Sequence, residues 1–440
     1  MRGRLNLFQR MMLRWRDLHP YSGVHVVRVR AALAERRLAG EIARRLEGRG
    51  LTGLELDPKR RWFSYRGGPA DVALAVLPAT PDPVGQVCGE VERQLNLAFP
   101  RAPVANPFRF FAVAAGDSFY LGLAYDHFIA SGDSIALLVK EIADGYAGEA
   151  SAAPCGPAPA LYPATYRRLV LRNPAAFLKG LARLPGLLAS SRRSFRPRYA
   201  RLDDLGNGFA YFRVGAAELA SLRGAARAWG VTLNDVFLAG LLRALSPFAA
   251  GRREAPRRRE LAVASIVNVR EDFGADPRRV FGQFLASFRV AHPVPEGAGL
   301  RELAQAVHAE TARIKRDKLY LQTILTLGLS ALMWPFLSVP RRRGFFAKYY
   351  PAWGGLTTLN VDALWGRNGP DGGQSLDYLR AGSTGPVCPL VFAVTTARAA
   401  LHVGVSYRTA AFTRASVDAL AEEFRRCIVD IEETVACEAP

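Results

Sequence analysis

The stretch SAAPCGPAPALYPA, Ser151 to Ala164, places four prolines within fourteen residues. Proline fixes φ and has no backbone N–H to donate, so neither a helix interior nor a central strand runs through such a segment. The chain is therefore cut into two parts, and its 440 residues agree with two or three domains, each large enough for its own core.

The connection continues beyond the prolines. From Ala150 to Leu202 there is no acidic residue, while Arg167, Arg168, Arg172, Lys179, Arg183, Arg192, Arg193, Arg196, Arg198 and Arg201 supply half of the formal charge of +20. Phe177, Leu181, Leu184 and Leu188 recur at helical spacing, and Lys179 and Arg183 stand four apart on another face. Pro174 and Pro185 limit any one helix to a few turns. Two readings remain open: an interfacial basic helix, or a solvated connector whose apolar side rests on the protein. A field of this sign suits anionic lipid, an acidic carrier protein or a phosphate-bearing cofactor. Nucleic acid is not expected, because the patch lacks interleaved aromatics and no recognition-module pattern occurs.

A second acid-free stretch runs from Lys318 to Val361. It opens with the twenty-two uncharged residues LYLQTILTLGLSALMWPFLSVP and leaves through RRRGFFAK. The length suffices to span a bilayer. Gln322, Thr323, Thr326, Gly328, Ser330, Pro335 and Ser338 dilute it, which favours a buried or interfacial helix.

The five cysteines never form a CxxC pair, so neither a zinc knuckle nor a disulfide framework is indicated, and a reducing, cytoplasmic compartment is expected. Arginines interrupt the N-terminal MRGRLNLFQRMMLRWRD before an apolar core develops, which makes a poor secretory signal. The remaining pattern alternates strands and helices in both halves. VHVVRVRA and FRFFAVAAGDSFYLGLAYDH read as strands in the first; VASIVNVRE, ASFRVAHPV and AALHVGVSYRT read as strands in the second. AELASLRGAARAWG, TLNDVFLAGLLRALSPF and FTRASVDALAEEFRRCIVDIEETV read as helices.

One loop stands out chemically. FYLGLAY runs as a short buried strand into Asp126 and His127, and Ile135, Leu138, Val139, Ile142 and Tyr146 mark the face of a following helix, with Asp133 or Ser134 as its N-cap. His127 thus sits in a strand-to-helix loop, a favoured place for catalytic side chains. Its imidazole accepts a proton near neutral pH, as acyl transfer to an alcohol or amine requires; a lone loop histidine also reads as structural or solvated. No GxSxG, GxxxxGK[ST], HExxH or GxGxxG occurs, and the other histidines lack metal-ligand spacing, so no metal is implied.

DHFIASG resembles the HHxxxDG motif of the CoA-dependent acyltransferase superfamily, which includes condensation domains, polyketide-associated acyltransferases and wax ester synthase/diacylglycerol acyltransferases. LFQRMMLRWRDLHP resembles the opening helix of these proteins, and GVTLNDVFLAGLLRAL their T-x-N-D-V helix. VNVRED, FGQFLASFRV and TLNVD are similar to three of their later strands. The resemblance spans most of the chain. It implies two chloramphenicol-acetyltransferase-like α/β (α+β) lobes in a V-shaped pseudo-dimer around a central tunnel. The boundaries expected are residues 1–163 for the lobe carrying the histidine motif, 164–201 for the basic connection and 202–440 for the second lobe.

By this resemblance His127 is the catalytic base and Gly132 the motif glycine. Asp126 stands where the first histidine would be and Ser131 where the aspartate would be; that aspartate pairs with an arginine to hold the loop, and Asp133 carries a charge two positions later. Asn234, Asp235, Arg270 and Asn360 are the matching tunnel candidates, with capping open for Asn234 and Asp235, a strand-end ion pair for Arg270 and a strand-edge hydrogen bond for Asn360. Gln283 replaces the usual asparagine, and Asp272-Phe273-Gly274 reads as a turn. The implied activity is transfer of an acyl group from acyl-CoA or a phosphopantetheine-linked carrier to an alcohol or amine, with no resident cofactor. The expected partners are an acyl carrier protein, an anionic membrane surface and a small-molecule or lipid acceptor, with a cytoplasmic or peripheral inner-membrane location. The alternative is a catalytically silent protein that binds a carrier or lipid.

Overall fold

The computed structural model describes residues 2–57, 61–101, 104–148, 160–161, 165–274, 280–366 and 377–431. The proline-rich segment lies outside the described residues apart from Ala160–Leu161.

Two mixed α/β lobes result, each a sheet covered by helices. The first sheet has five strands in the order Tyr378–Ala381, Ser22–Val29, Ser118–Asp126, Phe108–Ala115, Leu74–Leu77. The aromatic-rich run from 118 to 126 is buried along its whole length, as a central strand requires. The hairpin joining it to Phe108–Ala115 turns at Gly116, whose φ of +68° favours glycine. Leu38 and Ile42 of the helix Glu35–Gly48 share a core with Ile135, Leu138, Val139 and Ile142 of the helix Gly132–Ala147. Val87, Val91 and Leu95 of the helix Pro83–Asn96 form a separate cluster with Val24, Val26, Phe111, Tyr120 and Ala124.

The second sheet has six strands, ordered Asn207–Val214, Ala400–Arg408, Leu390–Ala397, Gly354–Asn360, Leu261–Asn268, Leu285–His292. Helices Ala216–Ala228, Leu233–Leu245, Leu300–Arg316 and Arg414–Val429 contribute to its core. The predicted strands and helices of both halves are thus present, within a few residues at their ends.

The halves are interlaced. Tyr378–Ala381, from the second half, is the edge strand of the first sheet, pairing Arg380 with His25. Val280–Phe281 pairs in parallel with Ala160–Leu161. Residues 202–440 therefore supply parts of both lobes.

The basic connection forms three short helices, Arg167–Arg172, Pro174–Ala182 and Leu184–Arg193, each starting anew near a proline or a break. The expected stripe does not bury as one face: Phe177 is buried, but Leu181, one turn on in the same helix, and Leu188, beyond the break at Arg183, are exposed. The apolar run after Lys318 also breaks, into a tight turn at Leu319–Leu321, the helix Gln322–Met333 and another turn at Trp334–Phe336 containing Pro335. It packs one side against the helix Leu7–Arg16 and the strand Leu285–His292, so it lies along the protein with its other side exposed.

Candidate active site

Asp126 closes the central strand opposite Ser22, and His127 follows with its N–H donated to the Tyr21 carbonyl, 3.2 Å away. The next helix starts at Gly132, with Ser131 in the N-cap position and no side-chain cap bond. The expected caps Asp133 and Ser134 instead lie inside the first turn, drawn to another partner. Arg270 Nη1 donates to Asp133 Oδ2 at 2.7 Å and Arg270 Nη2 to Ser134 Oγ at 2.6 Å, while the Asn268 amide also donates to Asp133. The loop-holding ion pair implied for position 131 is made from position 133.

Ser131 has a different task. Its N–H and its hydroxyl both donate to the Gly282 carbonyl, at 3.0 and 3.2 Å, and the Gly282 N–H donates to Ser134 Oγ at 3.2 Å. The adjoining Gln283 is fully buried and directs its amide Nε2 at the carbonyls of His127 and Ala130, the latter at 2.6 Å. A short segment of the second half thus clamps the motif loop of the first. Asp126 is turned away into the core, paired with Arg16 at 2.5 Å; burial raises its carboxyl above the usual range while Arg16 pulls it down.

The clamp also fixes the histidine tautomer. Both Gln283 amide hydrogens go to carbonyl oxygens, which leaves none for His127 Nδ1 although Nε2 of Gln283 lies 3.2 Å from it. Nδ1 of His127 therefore carries the proton and donates to the Ala130 carbonyl, 3.3 Å away. Nε2 keeps the lone pair, and among the described residues it has no hydrogen-bond partner. Burial, reinforced by Arg380, lowers the imidazole pKa to about 4, against the opposing Ala130 contact. At neutral pH the ring is uncharged.

His127 lines a cavity of about 330 Å³ between the lobes, flanked by Tyr21 and Tyr125 with ring centroids 5.3 and 5.7 Å from its own. The polar end holds His25, Gly132, Asp133, Asn268, Thr357, Arg380, Ser383 and Thr384. The other end is apolar, walled by Phe8, Met12, Trp15, Leu327, Met333, Phe345 and Phe346. Arg380 is buried, and among the described residues it donates only to neutral acceptors, the Thr357 and Val394 carbonyls and the Thr357 and Thr395 hydroxyls. His25 donates to or accepts from the Tyr378 hydroxyl through Nδ1 at 2.7 Å, and burial with Arg380 beside it pushes its pKa well below the usual value. A cleft of about 650 Å³ lined by Arg183 and Arg289, and by the pairs Arg193–Glu260 and Arg313–Glu310, adjoins this cavity, sharing Leu187, Ser287, Thr323, Thr326 and Tyr350 with it.

The structure brings His127, Gly132 and Asp133 to the cavity wall, with Arg270 behind them. Ser131 supports the loop from below. The tunnel placement expected for Arg270, Asn234, Asp235 and Asn360 is corrected, since none of the four lines the cavity. Asp235 is fully buried in a capping box with Thr232 and bonded to Thr311 and His308; Asn234 lies beside it in the same first turn, and neither lines the cavity. Asn360 is exposed and caps the helix Val361–Trp365 through the Ala363 N–H. Asp272 lies in the expected turn, closed by Gly274 and paired with Lys318. Sequence reasoning missed His25 and Arg380; only their cross-strand pairing brings them to the site.

No family model and no curated protein sequence matches the chain. Solved structures do. The first condensation domain of the calcium-dependent antibiotic synthetase, in complex with a substrate analogue, superposes with a TM-score of 0.70 at 16% identity, covering 98% of this chain and 97% of that one. The condensation domain from the Monacolin K polyketide synthase gives 0.64 at 12%, covering 98% and 97%. The epimerization domain from the third module of tyrocidine synthetase B gives 0.63 at 13%, covering 100% and 98%. The chain therefore has the two-lobed pseudo-dimeric fold of condensation and epimerization domains over nearly its whole length.

Proposed function

We propose that this protein is an acyltransferase that moves an acyl group from a thioester donor to an alcohol or amine, with His127 as general base. The observation that carries this reading is the uncharged imidazole with its Nε2 lone pair free in a cavity between the lobes. Nε2 takes the acceptor proton as the acceptor oxygen or nitrogen attacks the thioester carbonyl. The tetrahedral intermediate then expels the thiolate, which recovers the proton from Nε2. A base of low pKa makes the imidazolium formed in the first step a strong acid for the second. The Arg380 guanidinium in the same wall, hydrogen-bonded to neutral groups, favours the negative charge that develops on the carbonyl oxygen.

The adjoining cleft suits the phosphates of CoA or of a carrier-bound phosphopantetheine, because Arg183 there makes no ion pair among the described residues and Arg289 bonds only to Ser190, Ser194 and Pro351 oxygens. Purified protein incubated with acyl-CoA or acyl-carrier donors and a panel of alcohols and amines tests the reading by mass spectrometry of products. Turnover lowered at least a hundredfold in His127→Ala is expected; turnover unchanged in that variant removes His127 as the base.

One observation favours a silent binding role. Where the resemblance places a first histidine, Asp126 is locked to Arg16 inside the core and offers nothing to a substrate. Absence of product from every donor-acceptor pair, together with saturable binding of a carrier or acyl ligand, selects that reading.

A further inference from the structure

The helix Gln322–Met333 and the turn after it leave one apolar face uncovered. Leu329, Leu332, Met333 and Phe336 follow the spacing i, i+3, i+4, i+7 and all are exposed, Leu332 at 70% and Phe336 at 85%. The opposite side holds the buried Leu327, Ser330 and Trp334. The helix Pro174–Ala182, packed against this element, adds exposed Leu178 at 69% and Leu181 at 57%. Leu188, on the helix Leu184–Arg193, and Tyr349 extend the face. A patch of aliphatic and aromatic side chains standing this far out of the surface marks an interaction site.

Its flanks are rich in cations, two of which are paired, Lys179 with Asp317 and Arg193 with Glu260. Arg341 through Arg343 and Lys348 follow the patch in sequence, and Arg167, Arg168, Arg172, Lys179, Arg183, Arg192 and Arg193 accompany the neighbouring helices. Neither stretch contains an acid, from Ala150 to Leu202 or from Lys318 to Val361. An apolar centre ringed by guanidinium groups on short helices is complementary to an anionic bilayer, where the side chains enter the acyl region and the arginines meet headgroups. An acidic carrier protein answers the charge but leaves the protruding Leu332 and Phe336 without hydrocarbon to enter.

The patch also leads inward. Leu188, Leu329, Met333 and Tyr349 are exposed and at the same time line the cavity of His127, next to its apolar end. We infer that this face docks on an anionic membrane and that a long-chain substrate passes from the bilayer into the apolar arm of the cavity without crossing water. The docking stands by itself; the passage rests on the acyl-transfer reading above.

Flotation of the full chain with phosphatidylcholine vesicles, with and without 30% phosphatidylglycerol, tests the docking. Association with the anionic vesicles at low salt is expected, weakening with added salt and falling at least tenfold in the Leu332→Glu/Phe336→Glu double variant, whose melting temperature stays near that of the parent. Neither side chain lines the cavity, so folding and the site remain intact. His127→Ala floats like the parent, which separates docking from catalysis. No flotation at low salt, equal flotation of the double variant, or binding of an acyl carrier protein through these residues with no vesicle binding overturns the proposal. For the passage, the double variant loses at least tenfold in turnover of a vesicle-dissolved long-chain alcohol and keeps its turnover of a short soluble one; equal loss on both overturns it.

Discussion

Arg270 Nη1 lies 2.7 Å from Asp133 Oδ2, and this ion pair joins the second half of the chain to the first turn of the helix that follows His127. A carboxylate in a first helical turn also faces the positive end of the helix dipole. Arg270 is only 1% exposed, so removing the carboxylate leaves a buried cation unpaired. Asp133→Asn is expected to cost about 3 kcal/mol of stability in chemical unfolding, the lower end for a broken buried pair because Asp133 itself reaches solvent. Moving the charge back does not rescue it. In Asp133→Ser/Ser131→Asp the new carboxylate faces the Gly282 carbonyl that Ser131 now serves as donor, and unfolding midpoints no better than those of Asp133→Ser are expected.

Loss of the imidazole leaves the cavity and the clamp in place, since Gln283 bonds to backbone carbonyls. His127→Ala is expected to lower kcat/KM about 10²–10⁴-fold, the usual contribution of a positioned base, with unchanged circular dichroism. A variant with parental turnover refutes the assignment.

The pH dependence of stability follows from two buried histidines, His19 and His25, and the part-buried His127. Burial holds His127 at about 4, His19 at about 3 and His25 well below the ordinary value. The unfolded chain protonates each near 6.5, so below that pH it binds more protons than the folded one. The stabilisation is complete above pH 6.5 and is lost as pH falls toward 4, by about 1.4 kcal/mol per pH unit for each histidine. Urea midpoints at pH 7, 6 and 5 read this directly: a midpoint constant over that range is the contrary result. Turnover runs flat from pH 8 to about 5 if His127 is the base, with its acid limb near 4.

A methyl group at Gly132 tests the crowding of the polar end. Its Cβ would stand 3.2 Å from Arg380 Nη1 and 3.6 Å from two atoms of the His25 ring. Arg380 is tied to four neutral acceptors and has little freedom to retreat. Helix propensity favours alanine by about 0.5–1 kcal/mol, which offsets part of this contact. Gly132→Ala is therefore expected to shift the melting temperature by only a few degrees while lowering kcat/KM at least tenfold, measured on the same preparation.

Local signals made the loop legible. A continuous apolar strand, a histidine, and an i, i+3, i+4, i+7 helical face are all contained in residues 119–146, and the structure places each as read. The cap was misassigned because Asp133 and Ser134 are good caps in isolation and Arg270, 137 residues away from Asp133, outcompetes that role. His25 and Arg380 carry no local signature, since an arginine or histidine inside a strand reads the same whichever cavity its register faces. Asn234, Asp235 and Asn360 misled for the opposite reason. The caps made by Thr232 with Asp235 and by Asn360 are local features, and the resemblance lent all three residues a tunnel that the folded termini of their helices do not reach.

The strand Tyr378–Ala381 has a consequence for biosynthesis. Until it leaves the ribosome, Ser22–Val29 presents an unpaired edge along Val24 to Val27, and the cavity lacks the wall that carries Arg380. More than three hundred residues are made in that interval. The nascent protein therefore carries His127 on a half-finished sheet for most of its synthesis, exposed to edge-to-edge association, and gains the full wall of its cavity only as the last quarter of the chain folds back.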